Sequence, residues 1–328
     1  MISLWILAII TILAVSIGHR VSLALRLSSY QQDRIKAYCL SRAGIQRAIA
    51  ELEKDNQNQY DSLSEPWSTG IDPATNQLMF ANIEIEEGSG EAFTVGYRDN
   101  DDKYICMVDE ESKININTAS EKLLVTLLTE LNMEEEDAKS LPNYIRIWRG
   151  DSDSSIPPER VYEYFKKKPF IVPEELILVL ESFYQSKEEE SYQQKAQETF
   201  GALKYLITVC PNTKININTA SEAVLTIFAR SVAESDEEKN SVDIFVEKIR
   251  TLRNQQPNKC FQSLDAITVE GVGSEYENLL NRLKTNLSVQ SNYFKIGSTG
   301  NAGKVAKKIN AVYNRQDQDK QIVYWHQN

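Results

Sequence analysis

The segment KININTASE occurs twice in this chain, at Lys113–Glu121 and, 101 residues later, at Lys214–Glu222. Nine consecutive identities have a negligible probability of arising by chance in a chain of 328 residues. A repeat at a fixed distance is typical of a duplicated structural unit. The sequence therefore predicts two related copies of one supersecondary unit in the middle of the chain.

The repeated motif has a structural interpretation. Thr118 with Glu121, and Thr219 with Glu222, have the spacing of a capping box, in which the threonine accepts from a free backbone N–H and the glutamate reaches back to the cap residue. Four asparagines are expected to satisfy backbone groups in the entry turns: Asn115, Asn117, Asn216 and Asn218. We expect a structural motif and not a catalytic one.

The similarity between the copies continues weakly beyond the motif. Arg149 aligns with Arg250, and each copy later reaches a phenylalanine, Phe170 or Phe261, that precedes an acidic helix start. The apolar spacing that follows is helical. The middle of the chain is therefore predicted to be an all-α domain.

Runs typical of β-strands occur on both sides of this helical region. Residues 66–109 predict a meander of three short strands, and residues 292–296, 305–313 and 321–325 predict three more. The helical domain is therefore an insertion into one antiparallel sheet, and the fold class is α+β. We place the domains at 1–53 (N-terminal helix), 54–110 (first part of the sheet), 111–288 (inserted α-helical domain) and 289–328 (strands that complete the sheet).

The N-terminal 18 residues, MISLWILAIITILAVSIG, carry no charge. A helix of that length spans about 27 Å, close to the ~30 Å hydrocarbon core of a bilayer. The alternative, a cleaved signal peptide, is disfavoured because no basic n-region and no small-residue cleavage site are visible. Apolar residues continue at helical spacing and no proline precedes Pro66, which predicts one helix over residues 1–53.

The composition excludes several classes of function. The formal net charge is −11, which does not favour binding to nucleic-acid phosphates. The two histidines, His19 and His326, lie near opposite ends, and the four cysteines form no C-x-x-C pair. We expect neither an enzyme nor a His- or Cys-based metal site.

A DNA-binding function is the rival interpretation of the repeat. N-I-N-T-A followed by two helices resembles helix-hairpin-helix modules, which hold phosphate with a glycine-rich hairpin. The corresponding stretches here, residues 131–137 and 233–238, contain no glycine and are strongly acidic. Such turns would repel phosphate, so we expect no nucleic-acid partner.

The order of several short motifs resembles protein K of the general (type II) secretion pathway, a minor pseudopilin. The resemblance covers nearly the whole chain and rests on these segments: Leu4–Leu7, Ala37–Gly44, Glu65–Trp67, Asp109–Ala119, Pro169–Phe170, the second N-I-N-T-A, and Tyr324–Trp325. It implies a long pilin helix packed on a small antiparallel β-sheet that contains a large all-α insertion.

The function that this resemblance implies is assembly. Similar proteins are anchored in the bacterial inner membrane, cap the tip of a periplasmic pseudopilus and help initiate its assembly, in a complex with minor pseudopilins I and J. The resemblance also makes secreted protein cargo a candidate partner. Major pilins carry a glutamate near the mature N-terminus; here no acidic residue precedes Asp33. Basic residues after the apolar run would alone leave the body in the cytoplasm. The resemblance implies a basic leader that restores the periplasmic orientation. A minor pilin of a type IV pilus is a close alternative.

Two further features are open at this point. Cys210 and Cys260 flank the second repeat and could form a disulfide in an oxidising periplasm, or could be two buried thiols. An acidic cluster is a candidate Ca²⁺ site, since some members of the resembling family bind calcium: Asp99, Asp101, Asp102, Asp109 and Glu110. Its spacing does not match an EF-hand, and a solvated turn is the preferred interpretation. No other cofactor is expected.

Overall fold

The chain forms two compact units, each built from separate stretches of sequence. The computed structural model describes residues 2–55, 59–98, 104–151, 165–211, 214–316 and 320–327. The first unit comprises Met1–Asp55, Pro66–Val108 and Lys295–Asn328, and the second comprises Asn56–Glu65 and Asp109–Phe294. The sequence had placed residues 56–65 with the sheet. They belong to the second unit, where the Asp61 N–H donates to the Val289 carbonyl oxygen at 2.7 Å.

A single helix, α1 (Ile2–Asp55), begins the first unit. Its first thirty residues are exposed, and they include most of its large apolar side chains. From Ala37 onward one face is buried, and it carries Leu40, Ile45, Ala48 and Leu52 at helical spacing. The predicted continuous helix with an apolar first part and an amphipathic second part is confirmed.

The buried face of α1 approaches the sheet at two glycines. A Cβ on Gly300 would collide with the Ala37 carbonyl oxygen and the Ser41 backbone nitrogen. A Cβ on Gly44 would collide with the Ser298 hydroxyl and meet Phe93 at 3.0 Å. The helix therefore lies directly on the backbone of the sheet, as close as the absence of a side chain allows.

The sheet of the first unit contains β1 (Ile83–Glu84), β2 (Ala92–Val95), β5 (Met107–Asp109), β10 (Tyr293–Ala302), β11 (Val305–Asn314) and β12 (Gln321–Gln327). Its main path is antiparallel, in the order β1-β2-β10-β11-β12, and the short strand β5 also pairs with β10. Three strands before residue 110 thus share one sheet with three strands after residue 290. The predicted α+β fold, with a long helix on an antiparallel sheet, is confirmed.

The predicted three-strand meander is wrong in detail. Gly96, at a φ of +93°, ends β2, and its N–H donates to the Gly297 carbonyl oxygen at 2.7 Å. The chain then forms a separate two-stranded pair, β3 (Tyr97–Arg98) with β4 (Tyr104–Ile105). The last predicted strand is split into β4 and β5. The split occurs because the Cys106 N–H donates to the Ser68 carbonyl oxygen in a neighbouring helical turn, α2 (Pro66–Thr69).

The second unit is predominantly helical. Its helices are α3 (Glu121–Glu130), α4 (Glu135–Arg149), α5 (Leu176–Ser186), α6 (Tyr192–Leu203), α7 (Glu222–Val232), α8 (Asp236–Gln255), α9 (Val269–Val272) and α10 (Glu277–Lys284). Short 3₁₀ turns occur at Glu110–Ser112, Pro173–Glu175, Pro257–Lys259, Leu264–Ala266 and Ser274–Tyr276. One continuous hydrophobic core, from Ile114 to Leu287, underlies both copies of the repeat.

Two pairs of very short parallel strands complete this unit. β6 (Ile114–Asn115) pairs with β7 (Ile207–Thr208), and β8 (Ile215–Asn216) pairs with β9 (Leu287–Ser288). In each copy the strand that opens the motif is thus bonded to a strand at the end of the same copy. The two repeats are therefore closed modules that follow one another along the chain.

The repeated insertion as a candidate functional site

The motif forms the same turn in both copies. In the first copy the Asn115 side-chain oxygen accepts from the Asn117 backbone N–H at 2.9 Å, and the Asn115 carbonyl oxygen accepts from the Ala119 N–H at 2.9 Å. The second copy repeats both bonds with Asn216, Asn218 and Ala220. This is the local side-chain-to-backbone turn that asparagine favours, as the sequence predicted for these residues.

The predicted capping boxes are wrong by two residues. Ser120 and Ser221 are the N-cap residues, and their hydroxyls accept from the N–H groups of Leu123 and Val224 at 3.2 and 3.3 Å. The preceding turn includes Thr118, so the helix cannot begin until the serine has been reached. Serine and threonine are both good N-caps, and sequence alone does not decide between them here.

The threonines and glutamates of the motif consequently have other partners. Glu121 pairs with Arg146, and Glu222 pairs with Arg250 at 3.6 Å. Thr118 is exposed, whereas Thr219 is buried and its hydroxyl donates to an Asp109 carboxylate oxygen at 2.5 Å. Being the first helical residues, the glutamates lie at N1 and not at the N3 position of a capping box.

The second asparagine of each motif binds a distant phenylalanine backbone. Asn218 donates to the Phe261 carbonyl oxygen at 2.9 Å and accepts from the Phe261 N–H at 2.8 Å. Asn117 makes the same pair of bonds with Phe170, at 3.0 and 2.7 Å. The phenylalanines that aligned in sequence are therefore equivalent in space, and each asparagine fastens the start of its copy to the later part of that copy.

The arginine equivalence inferred from the sequence is wrong. Arg149 donates to the carbonyl oxygens of Ile116 and Ala119 at 2.8 and 2.9 Å. In the second copy the corresponding bond, to Ile217 at 2.9 Å, comes from Arg253 and not from Arg250. Helix α8 has 20 residues where α4 has 15, so counting along the sequence gives the wrong turn of the helix.

The two copies contact each other through α3 and α7. The guanidinium of Arg230 on α7 binds Glu130 on α3 and Asp243 on α8. Lys122 on α3 donates to the carbonyl oxygen of Ala233, immediately after α7, at 2.8 Å. Beside these bonds, the two copies share one apolar core, so they pack together as a single body.

The helix-helix connections carry acidic residues where a DNA-binding hairpin would hold phosphate. The first turn of α4 contains Glu135, Glu136 and Asp137, and the first turn of α8 contains Asp236 and Glu237. Carboxylates at a helix N-terminus occupy the position that would attract an external anion. This geometry disfavours phosphate binding.

The candidate disulfide is not formed. Cys210 and Cys260 are both buried free thiols. Cys210 lies beside Thr208, whereas the Cys260 thiol donates to the Pro257 carbonyl oxygen at 3.7 Å. Burial raises the pKa of Cys210 to about 12 and raises that of Cys260, so both thiols are unreactive at neutral pH.

The candidate calcium cluster cannot be assembled from the described residues. Asp99, Asp101 and Asp102 lie outside them. Asp109 and Glu110 are buried in the second unit: Asp109 binds hydroxyl groups, and Glu110 binds Lys113 at 2.8 Å. Within the described residues, no group of three or more His, Cys, Asp or Glu side chains has the geometry of a metal site.

A buried polar network surrounds the residues that precede the first motif. The Asp109 carboxylate accepts from Thr219 and Ser291, and burial raises its pKa. Burial likewise raises the pKa of Glu111 to about 8. From the sequence we expect Asp109 in a solvated turn, and no role is predicted for Glu111 or Asp61, so their burial is a finding of the structure. Three acidic residues directly before a buried motif were the available signal, but a run of charge is more often a solvated surface.

The N-terminal segment is suited to a membrane. Helix α1 contains an 18-residue window with a mean hydropathy of 2.2, none of which is buried within the structure. By length and composition it can cross a bilayer once. Within the described residues, the segment that we expect to contact lipid is therefore not buried against other parts of this chain.

Comparison with solved structures gives a match over nearly the full length of the chain. No protein-family model and no curated protein sequence matches the chain. A chain in the crystal structure of the GspK-GspI-GspJ complex from the enterotoxigenic Escherichia coli Type 2 Secretion System superposes with a TM-score of 0.62. The match covers 92% of this chain and 99% of that chain. This chain therefore shares the fold of a chain in that complex. The sequence identity is 18%, so the likeness lies in the architecture, the inserted helical unit included.

Proposed function

We propose that this protein is a minor pseudopilin of a type II secretion system, equivalent to protein K, which caps the tip of the pseudopilus and helps initiate its assembly. The observation that carries the proposal is the structural match over nearly the full length of both chains. A partial match to a pilin helix and sheet would be shared by many pilins. A match that extends through a helical insertion of this size favours the K-type subunit over a type IV minor pilin.

The anchor supports a location in the bacterial inner membrane with the body in the periplasm. The exposed apolar first part of α1, which we call the stem, can span a bilayer once. No acidic residue precedes Asp33, so the stem carries no carboxylate to be paired by a neighbouring subunit in lipid. An uncompensated charge there is costly, and a subunit with no neighbour above it has no need of one.

The second unit supports a place at the end of the fibre. It comprises Asn56–Glu65 and Asp109–Phe294, more than half of the chain. Regular stacking of subunits along a helical fibre leaves little room for so large an addition to each one. At the end of the fibre, no further subunit has to stack on it, so a bulky subunit is tolerated there. The role that we propose is therefore structural and not enzymatic.

We propose minor pseudopilins I and J as the partners, because the matching structure is a complex that contains GspI and GspJ. The test is co-expression of the full-length chain with I and J of the same system, extraction in detergent, and size-exclusion chromatography. We expect all three to elute together. Elution of this chain alone, while I and J remain paired, would refute the proposed role.

A DNA titration separates the rival function. The full-length chain in detergent is titrated with duplex DNA at low and at moderate salt. We expect no binding at micromolar protein concentration. Salt-dependent binding in that range would favour the rival, since phosphate contacts lose affinity steeply as salt rises.

A further inference from the structure

The two copies of the motif place their threonines in the same turn. The Thr118 N–H donates to the Asn115 carbonyl oxygen at 3.2 Å, and the Thr219 N–H donates to the Asn216 carbonyl oxygen at 3.3 Å. In each copy the serine that caps the following helix stands two residues later. The two threonine hydroxyls therefore start from equivalent backbone positions, and a difference in what they bind reflects a difference in what covers each motif.

In the second copy this position holds a carboxylate. The Thr219 and Ser291 hydroxyls both donate to the same oxygen of Asp109, at 2.5 and 2.6 Å. Asp109 ends strand β5 and caps the 3₁₀ turn Glu110–Ser112, which packs beside β8. An acidic side chain on an extended segment of this chain therefore covers the second motif.

In the first copy the equivalent hydroxyl is uncovered. Thr118 is exposed, and its hydroxyl has no partner among the described residues. Ser120 is also exposed, and its oxygen accepts from the Leu123 N–H at 3.2 Å, so its own O–H can still donate. The first motif therefore leaves two hydroxyl donors exposed, beside the position at which the second motif binds an aspartate.

Both of these residues line a cleft of about 250 Å³ between the two copies. Lys113 and Lys214, the first residues of the two motifs, also line it, and Lys113 pairs with Glu110 at 2.8 Å. None of the described residues that line the cleft is acidic. The apolar part of the lining comes from both copies: Ile114, Ala119, Leu123, Ile215, Phe228 and Val232. The cleft thus combines hydroxyl donors and positive charge with an apolar wall.

We propose that this cleft binds an acidic side chain on an extended segment of another protein, with Thr118 donating to the carboxylate as Thr219 donates to Asp109. Ser120 supplies a second hydroxyl, and Lys214 adds positive charge to the lining. A carboxylate accepts several hydrogen bonds, and those made to an ionised group are stronger than those between neutral groups. This site is independent of the proposed assembly role, since it follows from the comparison of two copies within one chain.

The segment that covers the second motif supplies the probe. The peptide Ac-Met-Val-Asp-NH₂ reproduces residues 107–109 with a single carboxylate, and Ac-Met-Val-Asn-NH₂ is its uncharged counterpart. Binding of each peptide to the full-length protein in detergent is followed by saturation-transfer NMR, with detergent alone as the blank. We expect the aspartate peptide to bind with a Kd of about 1 mM or tighter, and the asparagine peptide to bind roughly tenfold more weakly.

Thr118→Val is the decisive variant, because valine keeps the shape of threonine and removes the hydroxyl. Thr118 is exposed, so the variant should fold as the wild type does. We expect it to weaken binding of the aspartate peptide by roughly tenfold. Thr129→Val is the matched control: Thr129 is an exposed threonine of α3 outside the cleft, and this variant should bind as the wild type does. Lys214→Gln should weaken binding of the aspartate peptide and reduce its dependence on salt.

Three results would overturn the proposal. The first is equal binding of the two peptides, or no binding of either up to about 10 mM, because the carboxylate would then contribute nothing. The second is wild-type affinity for the aspartate peptide in Thr118→Val. The third is displacement of the peptide by sodium acetate at an equal concentration, because the cleft would then be a site for small anions and not for a peptide segment. None of these results bears on co-elution with pseudopilins I and J, so the two proposals fail separately.

Discussion

Replacing Asn218 by alanine should strongly destabilise the second copy of the repeated motif. The side chain of Asn218 is 4% exposed, and its two bonds to the Phe261 backbone, at 2.9 and 2.8 Å, are both lost in the variant. Phe261 is fully buried, so its N–H and carbonyl groups cannot turn to water. An unsatisfied buried polar group costs about 1–3 kcal/mol. We therefore expect a loss of about 3 kcal/mol in the free energy of opening, or more than a hundredfold in the opening equilibrium.

The first copy supplies the matched control. Asn117 makes the same bonds to Phe170 and a longer one to the Val209 carbonyl oxygen at 3.3 Å, but it is only partly buried. Water can replace part of what Asn117→Ala removes, so that variant should lose about 1–2 kcal/mol. The two variants change the same residue type in the same motif and differ in burial.

Hydrogen exchange of the Phe261 amide measures the effect directly. In the wild type this N–H is bonded to Asn218 and should exchange slowly, and in Asn218→Ala it should exchange more than a hundredfold faster. The Phe170 amide should respond to Asn117→Ala and not to Asn218→Ala. Unchanged exchange at Phe261, or a larger effect of the Asn117 variant, would refute the reasoning from burial.

Three other predictions concern different parts of the chain. Gly300→Val should push α1 away from the sheet through contact with Ala37 and lower the unfolding free energy by about 3 kcal/mol, measured by denaturation of the full-length chain in detergent; wild-type stability would contradict the close approach. Cys210 and Cys260 should both react with a thiol reagent only after denaturation, and a loss of two protons in the native mass would indicate the disulfide instead. Ile9→Glu should release the chain from membrane fractions, because a charge at mid-bilayer is costly, and continued fractionation with membranes would count against the stem as the anchor.

Most of the architecture was predictable from the spacing of apolar residues, because the residues buried on one face of a helix or strand recur at a regular interval. The helix from Ile2 to Asp55 was predictable since neither proline nor a cap interrupts its pattern. The strands after residue 290 were predictable from alternation. The exact duplication showed that the insertion is built from two related copies. Each of these signals spans many residues, so a local irregularity does not obscure it.

The features that the sequence did not predict depend on contacts between distant residues. The shift of the cap from Thr118 to Ser120 follows from the Asn115 carbonyl oxygen, which engages the Ala119 N–H and delays the helix. Arg253, and not Arg250, is the counterpart of Arg149 because α8 is longer than α4. The buried carboxylates were missed because burial of charge depends on partners such as Ser291, 182 residues from Asp109.

The pairing of β6 with β7 and of β8 with β9 also sets a timetable for biosynthesis. The strand pair of the first module can form once residue 208 has been synthesised, and that of the second once residue 288 has, since each pair lies within its own stretch of chain. The sheet, by contrast, requires β10, β11 and β12, the last strands to leave the ribosome. Until then β2 has an open edge while α1 is already available to the membrane. The nascent protein thus passes through a stage in which the strand pairs of the second unit can be complete while the sheet of the first unit is still unfinished.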